Sequence, residues 1–171
     1  MPDELSSIAR AAVALLFLFA ASAKLARPAS TSAALGVLRI PGEHRTAVTR
    51  LLAVVEIAIA GALVAVGSRA VLLAPTVLLV AFSLFLGQLA YRRSPVACGC
   101  LGDLGSHSHR LGLSRNACLL GLLAVAAVGD PGGITWWSVL GGALVAALLI
   151  VLTEGIYVVH GFRALEVASR A

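Results

Sequence analysis

The sequence predicts an all-α fold, a polytopic membrane helical bundle of four to five transmembrane helices. Hydrophobic residues make up 60% of the chain and charged residues only 12%, a balance outside the range of water-soluble domains. Five long apolar runs follow one another, at residues 8–26, 47–66, 70–91, 113–128 and 136–159. None alternates polar and apolar residues at a period of two. That removes the closed barrel and leaves the helix as the structure that satisfies its own backbone in lipid. The chain therefore reads as a single transmembrane domain over residues 1–171.

The first run, Ile8 to Ala26, contains Ala21-Ser22-Ala23, which has the form of a signal-peptide cleavage tripeptide. Asp3 and Glu4 precede Arg10 where a signal peptide needs a basic start, so the run reads as a retained span. Ser30 to Arg39 carries Ala33, Ala34, Val37 and Leu38 at helical spacing, which predicts a short helix at the membrane surface, stopped by Pro41. The second, third and fifth runs exceed the ~17 residues a span needs. Leu113 to Val128 is marginal, either a short tilted span or a segment buried against its neighbours, hence the count of four to five. Gly61, Gly121, Gly141 and Gly142 predict close helix contacts, because small residues let backbones approach in lipid. Trp136 and Trp137, after Asp130-Pro131-Gly132-Gly133, read as an aromatic belt at the outer interface.

Charge predicts orientation. If five spans alternate from an outside N-terminus, every one of the 13 Lys and Arg residues except Arg10 and Arg69 falls on the inner face. Lys and Arg flank spans on the cytoplasmic side, so the expectation is a cell-membrane protein with its N-terminus outside and its C-terminus cytoplasmic. The net charge of +5 then reports topology. No nucleic-acid partner is expected, because no soluble basic domain exists to bind one. The expected solvent partner is the lipid bilayer.

The polar stretch 92–112 holds the chemistry. Cys98 and Cys100 are separated only by Gly99, which carries no Cβ to obstruct a sharp turn. A disulfide across so small a ring is strained and comparatively oxidising, as suits a bond made and broken in turnover. Arg92, Arg93 and Arg110 favour the thiolate. On the inner face a static disulfide is disfavoured by the reducing cytosol. The residues leave three readings open: thiol–disulfide exchange with Cys98 and Cys100 as catalytic pair, a metal site, or a plain turn. The metal reading joins Cys98 and Cys100 to His107 and His109, a donor set suited to zinc or copper. Cys118 is either a resolving thiol or a small core residue of the fourth run.

Ionisable residues inside the spans are a second clue. Glu56 lies near the middle of the second run, where a carboxylate is expensive and faces the bundle interior. Lys24, at the inner end of the first run, is long enough to reach it. A structural role, as a buried pair or as a protonated Glu56 hydrogen-bonded to a helix neighbour, fits as well as a proton relay for the thiols. Glu154, Tyr157 and His160 share a face of the last run and read as interfacial anchors. No cofactor site is evident. A quinone is an electron acceptor that the membrane setting leaves open. The absence of a nucleotide-binding loop or a nucleophile triad argues against a self-contained pump or hydrolase.

Four features together resemble the MauE-like membrane proteins of the broader DoxX-like group: Ala23-Lys24-Leu25, Glu56, Cys98-Gly99-Cys100-Leu101-Gly102 and Ser114-Arg115-Asn116. The likeness runs from about residue 8 to residue 130 and departs at Leu101, where the pattern has Phe. It implies a multi-pass bacterial membrane protein that assists maturation of a partner, as in the methylamine utilisation system. There MauE is linked with a thioredoxin-like protein and the disulfide-rich small subunit of methylamine dehydrogenase. The resemblance implies Cys98 and Cys100 as the working thiols and a thioredoxin-like partner, beside which Cys118, Glu56, Lys24 and Arg115 stand as accessory candidates. An extracytoplasmic substrate conflicts with thiols on the inner face. Either the pair reaches across the bundle, or it relays reducing equivalents outward, or the charge rule fails here.

Overall fold

The computed structural model describes residues 2–91, 109–129 and 134–168, with side chains described within 3–29, 31–91, 112–129 and 134–152. The described residues form six α-helices and one 3-10 turn, and among them there is no strand. The helices are α1 (Pro2–Ala26), α2 (Pro28–Val37), α3 (Gly42–Ala65), α4 (Leu73–Tyr91), α5 (His109–Val128) and α6 (Trp136–Ala168). A 3-10 turn, Arg69–Leu72, leads into α4. Each apolar run is a helix, and the surface segment is α2.

The ends differ from the predicted ones for local reasons. Helix α2 starts at Pro28, whose fixed φ suits the first helical position. It ends at Val37, before the expected stop, because Arg39 takes a left-handed backbone at φ 60°. Pro41 is the N-cap of α3, so it starts the next helix and does not stop α2. Arg45 closes this turn by donating from Nε to the Ile40 carbonyl at 2.8 Å. The third run is split into a 3-10 turn and α4 because Pro75, in the first turn of α4, has no N–H to give to the turn before it. Helix α5 begins at His109, inside the stretch expected to be loop, and is 20 residues long, though its apolar part is the shorter Gly112–Val128. At ~1.5 Å per residue the whole helix extends about 30 Å, close to the thickness of the hydrocarbon core.

Helix α1 is the hub. It packs against α3, α5 and α6, while α4 packs on α5 and α2 on α3. Its inner surface is mostly small residues, with Ala9, Ala12 and Ala21 buried beside Val13 and Phe17. Gly142 of α6 lies so close that a Cβ there would stand 2.7 Å from both Ala11 Cβ and the Ala12 backbone nitrogen. Such contact is how helices associate where lipid cancels the hydrophobic drive. Leu63, Leu79, Leu119 and Leu123 complete the core around α1. Leu51 and Val54 on α3, Leu73, Val77 and Leu84 on α4, and Leu144 and Leu148 on α6 face outward. An apolar exterior of this kind is the mark of a protein solvated by acyl chains. Asp3–Ala26, Gly42–Ala65 and Arg69–Tyr91 are long and apolar enough to cross a membrane, and Gly112–Val128 and Trp136–Leu152 are shorter apolar helices. Trp136 and Trp137 are exposed at the start of α6.

The direction of the helices is fixed by polar contacts. Ser6 Oγ donates to the Ala126 carbonyl at 2.9 Å, so the start of α1 meets the end of α5. Arg69 Nη2 reaches the Gly129 carbonyl at 3.4 Å, so the start of α4 lies at that same end. The last turns of α1 and α4 and the first turn of α5 therefore share the opposite end of the bundle.

Candidate functional site: a buried charged chamber

Below that opposite end, four helices enclose a charged chamber. Lys24 lies in the last turn of α1 and Glu56 well inside α3, and the antiparallel packing of the two helices brings them together. Lys24 Nζ donates to Glu56 Oε1 at 2.8 Å and to Oε2 at 2.9 Å. Both side chains are almost completely buried, at 1% and 2% exposure. In so dry a place a lone charge would cost several kcal/mol, of order 3–5 when one partner of a buried pair is removed. Each charge is thus the condition for burying the other. The Lys24 ammonium also lies 5.8 Å from the centroid of the Phe82 ring of α4, at the range of a cation–π contact.

Helix α5 brings the third charge. Arg115 and Asn116 are both buried in its early turns. The Arg115 guanidinium acts electrostatically on both Lys24 and Glu56. Asn116 Nδ2 donates to Ser83 Oγ of α4 at 3.2 Å, and that hydroxyl donates to the Leu79 carbonyl at 2.8 Å. Between these groups is a cavity of about 40 Å³, lined by Glu56, Arg115 and Asn116 with Phe17, Phe82 and Leu119 among its apolar walls. One water needs roughly 10–15 Å³ by this measure and two to four polar partners. The chamber has the volume for a water, but its walls are mainly apolar, with Glu56, Arg115 and Asn116 as its polar lining.

Of the residues singled out from the sequence, the structure joins Lys24, Glu56 and Arg115 in this one place. Cys118, weighed as a small core residue, is instead exposed. Helix α5 turns Arg115, Leu119, Leu123 and Ala126 inward, and Cys118 falls outside that stripe. Cys98, Cys100 and His107 lie outside the described residues, as do the side chains of His109, Glu154, Tyr157 and His160. The metal reading draws its donors from these positions.

Sequence reasoning missed Arg10, taken only as an outer-face charge. It is buried at 3% exposure and donates from Nη2 to the Leu63 carbonyl at 2.9 Å and the Val66 carbonyl at 2.6 Å. These are carbonyls at the C-terminal end of α3, which have no partner inside their own helix. An Arg three residues into an apolar run was the available signal, since a helix end is a natural acceptor for a cation. The bond from Asn116 to Ser83 was also missed. Nothing in the sequence relates those two positions.

Long apolar helices, an outward apolar surface and ionised groups sealed inside define a multi-pass helical membrane protein. Within that class the chain belongs to the MauE family: the model of "Methylamine utilisation protein MauE" matches residues 2–129. The match takes in α1 to α5 and every residue of the chamber, and stops short of α6. The chain is thus an accessory membrane protein of the methylamine-utilisation type. No curated protein and no solved structure matches it.

Proposed function

We propose that this protein carries out thiol–disulfide exchange in the maturation of a partner protein, with Cys98 and Cys100 as the working pair. The observation that carries the reading is the Cys98-Gly99-Cys100 motif in a membrane protein of the MauE family. Tyr91 ends α4 and His109 begins α5, and the motif belongs to the stretch of chain between them. The chamber of Lys24, Glu56 and Arg115 lies below the same end of the bundle.

A single exchange balances between the two proteins, and a second redox couple, a further dithiol protein or a quinone, must then restore the Cys98–Cys100 pair. The thiolate of one cysteine attacks a disulfide sulfur of the partner, forming a mixed disulfide and releasing a partner thiolate. The second cysteine then attacks the first, leaving a Cys98–Cys100 disulfide and a partner dithiol. Run in reverse, the same steps oxidise the partner. A thioredoxin-like protein is the partner that the family resemblance implies, and it carries a redox-active dithiol of its own. Two protons leave the cysteines and two arrive on the partner, and Lys24, Glu56 and Arg115 serve as the accessory polar groups for that traffic. The proposed orientation places the N-terminus outside and the C-terminus in the cytoplasm, on the charge asymmetry of the flanking residues.

Thiol trapping in intact cells, with one membrane-permeant and one impermeant alkylating reagent, tests the reading. The expected result is a Cys98–Cys100 disulfide that follows the redox buffer, is absent in Cys98→Ser and Cys100→Ser, and persists in Cys118→Ser. Thiols that stay reduced at every attainable potential would overturn it. Access to the impermeant reagent decides the orientation independently.

A further inference from the structure

Arg39 is the one non-glycine residue with a positive φ, 60°, among the described residues. That backbone is cheap for glycine and costs other residues roughly 1 kcal/mol or more. Two hydrogen bonds hold it there, Leu38 N–H to the Leu35 carbonyl at 3.1 Å and Arg39 N–H to the Gly36 carbonyl at 3.0 Å. Neither uses the side chain, so the turn would form as well with glycine. A residue kept at such a place against its own backbone preference points to a use for its side chain.

Arg39 is one of the residues lining a cavity of about 360 Å³ between the turn after α2 and the last turns of α4. Arg39 and Gln88 supply its polar groups, and Val37, Leu38, Phe85 and Leu89 its apolar wall. Arg45 stands beside it, bonded to the Ile40 carbonyl and packed against Gly36. The acid in this turn, Glu43, lies with His44 at 3.4 Å, both well exposed. A guanidinium and an amide at one edge and aliphatic and aromatic groups at the other, at the end of a membrane helix, match an amphiphile with an anionic head.

We propose that this cavity binds the phosphodiester headgroup of an anionic phospholipid, with Arg39 and Gln88 on the phosphate and Leu38, Phe85 and Leu89 along the first part of an acyl chain. The site is separate from the charged chamber and independent of the thiol chemistry.

The test is thermal unfolding of the full chain in detergent micelles doped with phosphatidylglycerol, with phosphatidylcholine, or supplemented with inorganic phosphate. Phosphatidylglycerol is expected to raise the unfolding midpoint well above phosphatidylcholine, whose phosphodiester is the same but whose choline cation cancels the net charge, and inorganic phosphate is expected to leave it unchanged. Arg39→Gly is the decisive variant because glycine suits the turn: without lipid it unfolds no earlier than the natural protein, and it loses most of the rise given by phosphatidylglycerol. Gln88→Leu loses part of the rise. Arg50→Gln, which removes an exposed charge elsewhere on α3, keeps it. A full response in Arg39→Gly would overturn the proposal, as would an equal loss in Arg50→Gln, which would mean unspecific charge. An equal rise with phosphatidylcholine would overturn the anionic head, and an equal rise with inorganic phosphate would overturn the lipid.

Discussion

The two ends of the bundle each bury a cation from α1, and they use it in opposite ways. Toward the start of α1, Arg10 faces peptide carbonyls: Leu63 and Val66 accept its bonds, closing the end of α3. Toward the end of α1, Lys24 faces a carboxylate, Glu56, at the edge of a cavity that Arg115 and Asn116 also line. A carbonyl cannot change its charge, so the Arg10 contact is a cap and a clamp. A carboxylate and an ammonium can exchange protons with water. The lesson is that a buried charge in a membrane helix is read from its partner rather than from its depth.

The largest effect expected is at the Lys24 end. Glu56→Ala leaves the buried ammonium without its carboxylate and should cost about 3–5 kcal/mol. Denaturant titration in mixed micelles, followed by helical circular dichroism, measures it. The sharper form of the test is Glu56→Gln, which keeps shape and hydrogen bonding but not charge. It should disturb the redox response of Cys98 and Cys100 in the trapping assay more than any change at Arg10.

Next in size is Arg10→Met, which leaves the Leu63 and Val66 carbonyls unmet and should cost about 1.5–3 kcal/mol. The thiol response should be unchanged. If it changes as much as in Glu56→Gln, the contrast between a structural end and a chemical end fails.

Gly142→Ala tests the clamp from the neighbouring helix. The added methyl must displace α1 at Ala11 and Ala12, and overpacking of this sort costs about 1–3 kcal/mol. The same titration should show the loss. Because α1 carries both buried cations, a shift of the whole helix would disturb both ends at once.

The smallest effect expected is Ser83→Ala, which removes the acceptor of Asn116 on the chamber side. Interhelical hydrogen bonds of this kind average about 0.6 kcal/mol in membranes. A loss well above that would mean that Asn116 positions Arg115, its neighbour in the chain, and not merely α4.

The helices were legible because their cause is local. Apolar runs long enough to cross lipid must be helical, whereas the starts of α2 at Pro28 and of α4 just before Pro75 differ from the expected starts at Ser30 and residue 70. The boundaries were less legible. Arg39 ends α2 through a backbone state that its residue type does not announce, and His109 joins α5 from a polar stretch. The chamber was partly legible: Glu56 in the middle of an apolar run demands a partner, and Lys24 was near enough in kind and depth to supply it. That Arg115 and Asn116 would join them was not, since it depends on which face of α5 turns inward.

By itself, then, the sequence determined the membrane class, the all-helical build and the presence of an ionisable group inside a span that had to find a polar partner, because hydropathy and desolvation act on each residue wherever it lies. Only the tertiary structure decided which helix is central, that Arg10 closes α3, that Cys118 faces outward, and that Glu56, paired with Lys24, lines one cavity with Arg115. Those outcomes depend on rotation and depth of one helix against another. In lipid these are set by close packing of small residues such as Ala11, Ala12 and Gly142, whose fit exists only once the helices are together.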